Sequence, residues 1–576
     1  MKELFNNLRF TWKYSKYEKK YFIISFLSHI IGIGVSILIP IVSAKIIIAL
    51  SVSDFEKILY IACILFGIQI LEGFFNYLNR IASTKIYRNT LSRLEIDLGR
   101  EVLKLENKSL DNNGSGLFIQ RMTNDTSRLA EIFNGLFETL SAIIQYFGYF
   151  IAIFITNKLI FIYCITMTIV LFIVERIRTN RKNENDKIQR KASEKVSSFI
   201  SELVRGARDI KMLNSENDFI KELSTSIDDA NNKRYIMQKT NFNFQLLSRY
   251  TITLFDFILI LLIMLLLKNH IIEATIALVL YNYAERLEYS SWVGGNFLEM
   301  IKDFNLSSER VNALLQNTEF KKEKFGTKHI NNINGNFEFK NVYFAYGQNK
   351  VLKDLSFKIK SNETVAFVGK SGAGKTTIFN LLCKMYEPQK GTITIDGIDI
   401  NELDKDSIRG NITIISQNPY IFNLSIKDNL KLVKSDLTDK EMKEACKAAC
   451  LDEFIKTLPD KYDTVVGEGG ITLSGGQKQR LAIARALVQK TKIILFDEAT
   501  SALDNETQSE IQKAIESMRN DYTILIIAHR LSTIINADRI LFIDQGKIIA
   551  EGSHKQLLKN CPEYKELYNT EIKKQS

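Results

Sequence analysis

The rhythm of hydrophobic and polar positions changes midway along the 576 residues. In the first half apolar residues run on in six long stretches, near 21–50, 58–79, 132–156, 158–175, 245–268 and 271–295. At 1.5 Å per residue each is long enough, or nearly so, to cross a hydrocarbon layer about 30 Å thick. The first is too long for the core of a signal peptide and no small-residue cleavage site follows it, so it reads as a retained span kinked at Pro40. The connections 80–131 and 176–244 keep apolar residues at helical spacing, as in Phe199, Leu203, Ile210 and Leu213. They predict cytoplasmic extensions of the spanning helices that turn back near 107–116 and 205–214. A polar stretch, 316–335, reads as a linker. Beyond it the period shortens. Phe337–Phe344 alternates like a strand, and Thr364–Val368, Ile412–Ser416, Lys492–Phe496 and Thr523–Ala528 are short apolar runs. Uninterrupted runs of this kind fit strands covered on both faces of a parallel sheet. Helical runs follow two of the glycine turns, at Ile378–Tyr386 and Lys478–Val488. The pattern therefore predicts a membrane domain over 1–315, the linker, and an α/β domain over 336–576.

Charge orients the first half. The formal net charge is +11, and a basic balance fits either nucleic acid or a membrane surface. Its distribution selects the membrane. The short connections near Asp54–Lys57, Asn157–Lys158 and Lys268–His270 hold few cations. The N-terminal twenty residues and both long connections hold many, among them Arg80, Lys85, Arg88, Arg93, Arg100 and Arg121. Positive charge stays cytoplasmic, so the N-terminus, both long connections and the second half lie inside. Six scattered cysteines without C-x-x-C spacing read as reduced thiols. Charged residues within the apolar stretches, Lys45, Glu72 and Asp256, and a face of the sixth carrying Tyr281, Glu285, Glu288 and Trp292, admit two readings. One is a cavity wall suited to a cationic or amphipathic cargo. The other is internal pairing, for example of Lys45 or Arg286 with one of the acids, or a location already beyond the bilayer.

The densest chemistry is Gly369–Thr377, GKSGAGKTT, set between a strand and a helix. That context gives G-x-x-x-x-G-K-[ST] its meaning as a phosphate-binding loop. Gly369, Gly372 and Gly374 allow consecutive N–H groups, including those of Lys370, Ser371 and Ala373, to point at a polyphosphate. The following helix adds its positive end. Lys375 supplies charge for the β- and γ-phosphates, Thr376 a hydroxyl for Mg²⁺, and Thr377 completes the motif. Asp497 and Glu498 end an apolar strand, where parallel sheets bind ligands. Asp497 can hold the Mg²⁺ shell, and Glu498 can orient or deprotonate the attacking water. Gln417 and His529 end two further strands on the same edge, and Tyr346 is an aromatic placed to stack on a base. Ser474-Gly475-Gly476-Gln477 opens a second helix and is a second anion-binding turn. One chain thus has two phosphate-binding turns but a single catalytic set, and a head-to-tail pair of chains resolves this.

With these motifs the chain resembles the ATP-binding cassette exporters that fuse six membrane helices to one nucleotide-binding domain. The resemblance implies an all-α membrane domain and a cytosolic P-loop NTPase domain with an antiparallel β subdomain and a helical subdomain. In its terms Tyr346 is the adenine-stacking aromatic, Gln417 the Q-loop and a Mg²⁺ contact, Leu473–Gln477 the cassette signature, Glu498 the catalytic glutamate, Ser501–Asp504 the D-loop and His529 the switch histidine. Thr464–Gly470 is similar to the segment facing the partner's membrane helices, and Gly116–Asp125 to the segment after the first coupling helix. The implied cofactors are ATP and Mg²⁺. The implied partners are a second copy of the chain or a related one, the bilayer, and a small-molecule, lipid or peptide cargo, with no nucleic acid. The expected activity is ATP-driven export by alternating access, in the plasma membrane of a bacterium. A lipid flippase, an importer and an ATP-gated channel share the fold. A soluble cassette ATPase of repair or translation is excluded by the six apolar stretches.

Overall fold

The computed structural model describes residues 2–575 apart from 52, 317, 332, 468–469, 498–512, 514, 517, 520 and 528–534. The chain divides into two compact units, Met1–Leu103 with Gly114–Phe320, and Lys104–Asn113 with Lys321–Ser576.

The first unit is helical. Its elements are α1 (Lys2–Ser15), α2 (Lys19–Ser51), α3 (Phe55–Val102), α4 (Asn107–Gln120), α5 (Thr126–Thr156), α6 (Lys158–Met212), α7 (Glu216–Lys268), α8 (Ala274–Leu287) and α9 (Ser290–Leu315). Short polar caps start two of the long ones. Asp54 accepts the N–H of Lys57 at 3.2 Å before α3, and the Asn157 side chain accepts those of Leu159 and Ile160 before α6. Among the described residues five helical stretches, Lys2–Ser51, Phe55–Val102, Asn107–Thr156, Lys158–Met212 and Glu216–Lys268, are long and apolar enough to cross a membrane. Large apolar side chains on them face outward, as at Phe66 and Phe74, which is what a lipid solvent requires. Pro40 lies inside α2 without ending it.

The sixth stretch departs from the expectation of a single long helix. It is divided between α8 and α9, and at the division the Glu288 N–H bonds the Glu285 carbonyl, three residues back. Glu285, Arg286 and Glu288 fall where that stretch is least apolar. Glu288 is half-buried and hydrogen-bonds Asp256 of α7, while Glu285 and Trp292 are exposed. Lys182 reaches Glu299 of α9 at 2.9 Å, and Arg178 pairs with Glu175. The inner core is made by α5 to α8, through Tyr149, Ile153, Cys164, Leu259, Leu280 and Tyr283.

The second reversal falls at the far end of the expected 205–214, and the first precedes most of 107–116. α6 runs unbroken through Arg205–Arg208, and the chain reverses at Leu213–Ser215, with Asn214 at φ 54°. A single glycine among helix formers does not stop a helix. The first long connection reverses between Val102 and Asn107, and Gly114 (φ 67°, ψ 157°) kinks α4 where the chain passes between units.

The second unit is α/β. Its elements are β1 (Phe337–Tyr346), β2 (Asn349–Ile359), β3 (Thr364–Val368), α10 (Lys375–Leu382), β4 (Lys390–Ile395), β5 (Ile398–Asp399), α11 (Lys405–Arg409), β6 (Ile412–Ile415), β7 (Leu424–Ser425), α12 (Ile426–Lys431), α13 (Asp439–Ala448), α14 (Asp452–Thr457), β8 (Val465–Val466), α15 (Gly475–Gln489), β9 (Ile493–Asp497), β10 (Thr523–Ile527), β11 (Arg539–Asp544) and β12 (Lys547–Gly552). One sheet is antiparallel in the order β2-β1-β4-β5. The other has the order β12-β11-β3-β10-β9-β6 and is parallel except for β12. Alternation along β3 divides the core. Val365 and Phe367 join Phe339 and Phe357 of the antiparallel sheet; Ala366 and Val368 face the layer built on α12 to α15. The parallel sheet is thus covered on both faces.

Candidate nucleotide-binding site

β3 is buried along its whole length and ends at Gly369. The loop that follows has left-handed backbone at Gly372 (φ 79°) and Gly374 (φ 100°), and α10 starts at Lys375. Lys370 and Ser371 are exposed at the loop crest, whereas Ala373 and Thr377 are buried beneath it. The Lys375 side chain is buried and folds back across the loop. Its Nζ donates to the carbonyls of Gly369 at 2.8 Å and Lys370 at 3.0 Å. This bracing holds an ammonium inside a ring of backbone at a helix N-terminus, a setting that attracts anions.

The parallel register brings the other strand ends alongside. β9 lies between β10 and β6, with Ile415 opposite Phe496. Asp497 therefore emerges beside the loop, and the Thr376 hydroxyl donates to its Oδ1 at 3.2 Å. A hydroxyl and a carboxylate this close are the hard oxygen donors that suit Mg²⁺. Gln417, two residues past β6, is exposed at the same edge, and its carbonyl accepts from Gln479 Nε2 at 3.1 Å. Glu498, His529 and the segment Ser501–Asp504 lie outside the described residues, as do Glu468 and Gly469 within Thr464–Gly470.

Tyr346 ends β1 and is 39% exposed, as a residue meant to stack on a ligand must be. Its hydroxyl accepts from Asn380 of α10 at 3.4 Å. Phe344 and Tyr386 meet it nearly at right angles. Beside these rings is a cavity of about 730 Å³ lined by Lys108, Asp111, Lys321, Lys384 and Gln389 among others. Burial lowers the Lys384 pKa, and nearby Glu387 and Asp399 oppose that shift.

Ser474 to Gln477 are placed differently. Ser474 caps α15, accepting the Gln477 N–H, while the Gln477 side chain accepts the Ser474 N–H at 2.9 Å. Ser474 and Gly475 are exposed and Gly476 is buried. Among the described residues no hydrogen bond joins this turn to Gly369–Thr377. Sequence reasoning missed Gln479, which holds Gln417, and Tyr386, whose hydroxyl partner Asp111 is 275 residues away. The helical run marked Tyr386 only as its last residue.

Two family descriptions match the chain. Residues 352–501 match "ABC transporter" and residues 22–285 match "ABC transporter transmembrane region". The chain is 32% identical to the Bacillus subtilis ABC transporter ATP-binding protein YknV, over 95% of this chain and 92% of that one. It is 31% identical to the ATP-dependent lipid A-core flippase of Haemophilus influenzae, over 89% and 88% of the two chains. A bacterial Atm1-family ABC exporter solved with ATP bound has the same fold, with a TM-score of 0.82 at 23% identity, covering 96% of this chain and 98% of that one. The chain belongs to the ABC transporters, as an ATP-hydrolysing membrane transporter that joins a helical transmembrane region to one ATP-binding domain.

Proposed function

We propose that two copies of this chain export or flip an amphipathic, lipid-like molecule across the plasma membrane, driven by ATP closed between their nucleotide units. The observation that carries the reading is the convergence of Lys375, Thr376 and Asp497 on one edge of the parallel sheet, with Ser474 exposed at a helix N-terminus and, among the described residues, not hydrogen-bonded to the phosphate loop. In this reading the loop amides and Lys375 hold the β- and γ-phosphates, and Tyr346 stacks on adenine. Thr376, Asp497 and Gln417 hold Mg²⁺, which supplies charge neutralisation at the phosphates. Glu498 orients or deprotonates water, and His529 meets the γ-phosphate. The partner's Ser474 turn completes the pocket.

Two further observations support the pairing. Tyr420, Phe422, Leu424, Val465 and Ile471 form an exposed apolar strip on the nucleotide unit, suited to a cytoplasmic turn of the partner. Met212 and Leu213 are exposed at such a turn. The name of the Haemophilus relative favours a lipid cargo. The test is Glu498→Gln in the full chain, reconstituted in phospholipid vesicles. ATP hydrolysis should fall about 10²-fold or more, as expected for loss of a general base, while ATP is retained by a dimer. Normal turnover in this variant, or ATP held by single chains, refutes the proposal. Movement of a fluorescent phospholipid between leaflets that does not depend on ATP in the wild type refutes the lipid cargo alone.

A further inference from the structure

Residues 104–113 precede and enter α4, yet they pack as part of the nucleotide unit. Among the described residues a backbone pairing and a side chain hold them there. Leu105 pairs antiparallel with Lys322, so that the Glu106 N–H bonds the Lys321 carbonyl at 3.0 Å and the Glu323 N–H bonds the Lys104 carbonyl at 2.9 Å. The second is a single side chain: Tyr386 Oη donates to Asp111 Oδ2 at 2.5 Å.

Tyr386 is unusually placed. It follows α10, the helix that starts at the phosphate loop, after a turn with Lys384 at φ 50°. Its ring meets Tyr346 edge-on, with centroids 5.1 Å apart and planes at 86°, and Phe344 closes the trio at 5.7 Å. Burial raises the phenol pKa, and the Asp111 carboxylate raises it further. The phenol therefore stays protonated and keeps donating through the physiological range. One residue thus touches the exposed aromatic Tyr346, follows the helix that starts at the phosphate loop, and bonds the segment leading into α4.

We infer that Tyr386 is a positioning residue that reports base occupancy at Tyr346 to Asp111 and so to residues 104–113. This rests on the reading of Tyr346 as the base-stacking residue. A base on the open face of Tyr346 fixes that ring. Its edge contact then restricts Tyr386 to the rotamer that bonds Asp111, and the segment becomes ordered. A triphosphate without a base fills the loop and leaves the rings unrestrained.

Hydrogen exchange of the full chain, read separately at 105–113 and at 369–377, tests this. The probes are adenosine imidotriphosphate with Mg²⁺ and inorganic tripolyphosphate with Mg²⁺. In the wild type the nucleotide should slow exchange in both segments, by up to about tenfold at 105–113, the most that holding the existing Tyr386–Asp111 bond closed would give for one hydrogen bond to a charged group. Tripolyphosphate should slow 369–377 alone. In Tyr386→Phe the nucleotide should still slow 369–377 and leave 105–113 unchanged. Equal slowing of 105–113 in that variant, or by tripolyphosphate, overturns the inference. If Tyr386→Phe disturbs 369–377 itself, Asp111→Asn breaks the bond from the other end and is judged by the same criteria. No slowing of 369–377 by nucleotide in the wild type would instead refute the nucleotide site.

Discussion

Gly374→Ala puts a calculable strain into the phosphate loop. The residue has φ 100° and ψ 10°, and a methyl group there costs about 1–2 kcal/mol for the left-handed backbone alone. The added Cβ would also lie 2.7 Å from Leu352 Cδ2 and 3.2 Å from Val351 Cγ1. Leu352 can rotate, but both residues belong to β2 and pack in or against the core, so a further cost of about 1 kcal/mol is expected for overpacking. The total, about 2–3 kcal/mol, must emerge in one of two measurements. If the loop keeps its shape, ATP binds normally and the nucleotide unit loses that much stability. If the loop relaxes, stability is kept and ATP affinity falls by about 30- to 150-fold, because each 1.4 kcal/mol is a factor of ten. Thermal unfolding without nucleotide and titration with a fluorescent ATP analogue together account for the sum. Gly372→Ala is the control. It has φ 79°, but nothing lies within 4 Å of its added Cβ, so it should show only the backbone cost. Unchanged stability together with unchanged affinity in Gly374→Ala would refute the conformation assigned to the loop.

Other expectations follow from single contacts. Glu323→Gln leaves the Arg409 guanidinium, which now makes a bidentate pair with Glu323 at 2.6 and 2.8 Å, without its counter-charge. With the two side chains only 21% and 10% exposed, the loss should be about 3 kcal/mol, or a fall in unfolding midpoint of roughly 6–12 °C; an unchanged midpoint would exclude a structural role. The His329–Asp404 pair, at 2.7 Å, sets a pH dependence. Asp404 raises the His329 pKa, so that contribution is full below about 6.5 and fades as pH rises through the raised value. Hydrogen bonds from Ser407, then His329, hold Asp404 down to about 2, so its contribution is present above about 3.8 and fades as pH falls toward 2. His329→Gln should therefore lower the unfolding midpoint at pH values of about 4–6.5 and matter less above that window; an equal loss at every pH would point to packing instead. Glu285→Gln with Glu288→Gln should weaken transport of cationic amphipaths relative to neutral ones, and unchanged selectivity would leave the Asp256–Glu288 contact as internal pairing only.

Legibility in the sequence followed the range of the interactions. β3, β6, β9 and β10 were readable because a strand buried on both faces needs an unbroken apolar run, and each run ends within a residue of the observed strand. The phosphate loop was readable because glycine is the residue that accepts the backbone at positions 372 and 374 without strain. The spanning helices were readable from length, and the division of the sixth was not, because a hydrogen bond slipping from four residues to three at Glu288 leaves no mark in composition. The turn at Leu213–Ser215 was readable only to within the range 205–214, since α6 runs through Gly206 without a break.

The linker shows the limit most clearly. Composition marks 316–335 as a polar linker that includes Gly326. In the fold Gly326 is the opposite of free: a Cβ there would lie 1.9 Å from the Glu402 carbonyl oxygen, and the residue is glycine because two backbones touch. Its N–H bonds the Leu403 carbonyl at 2.8 Å. The preceding Phe325 has Lys384 Nζ at 5.2 Å from its ring centre and Arg409 Cζ at 5.1 Å. Glu323 closes the ion pair with Arg409, and Lys322 pairs with Leu105. Every one of these partners is distant in sequence, so no local pattern announces them. Residues 321–323 thus hold Leu105 within the nucleotide unit through backbone hydrogen bonds, as Tyr386 holds Asp111 through its side chain.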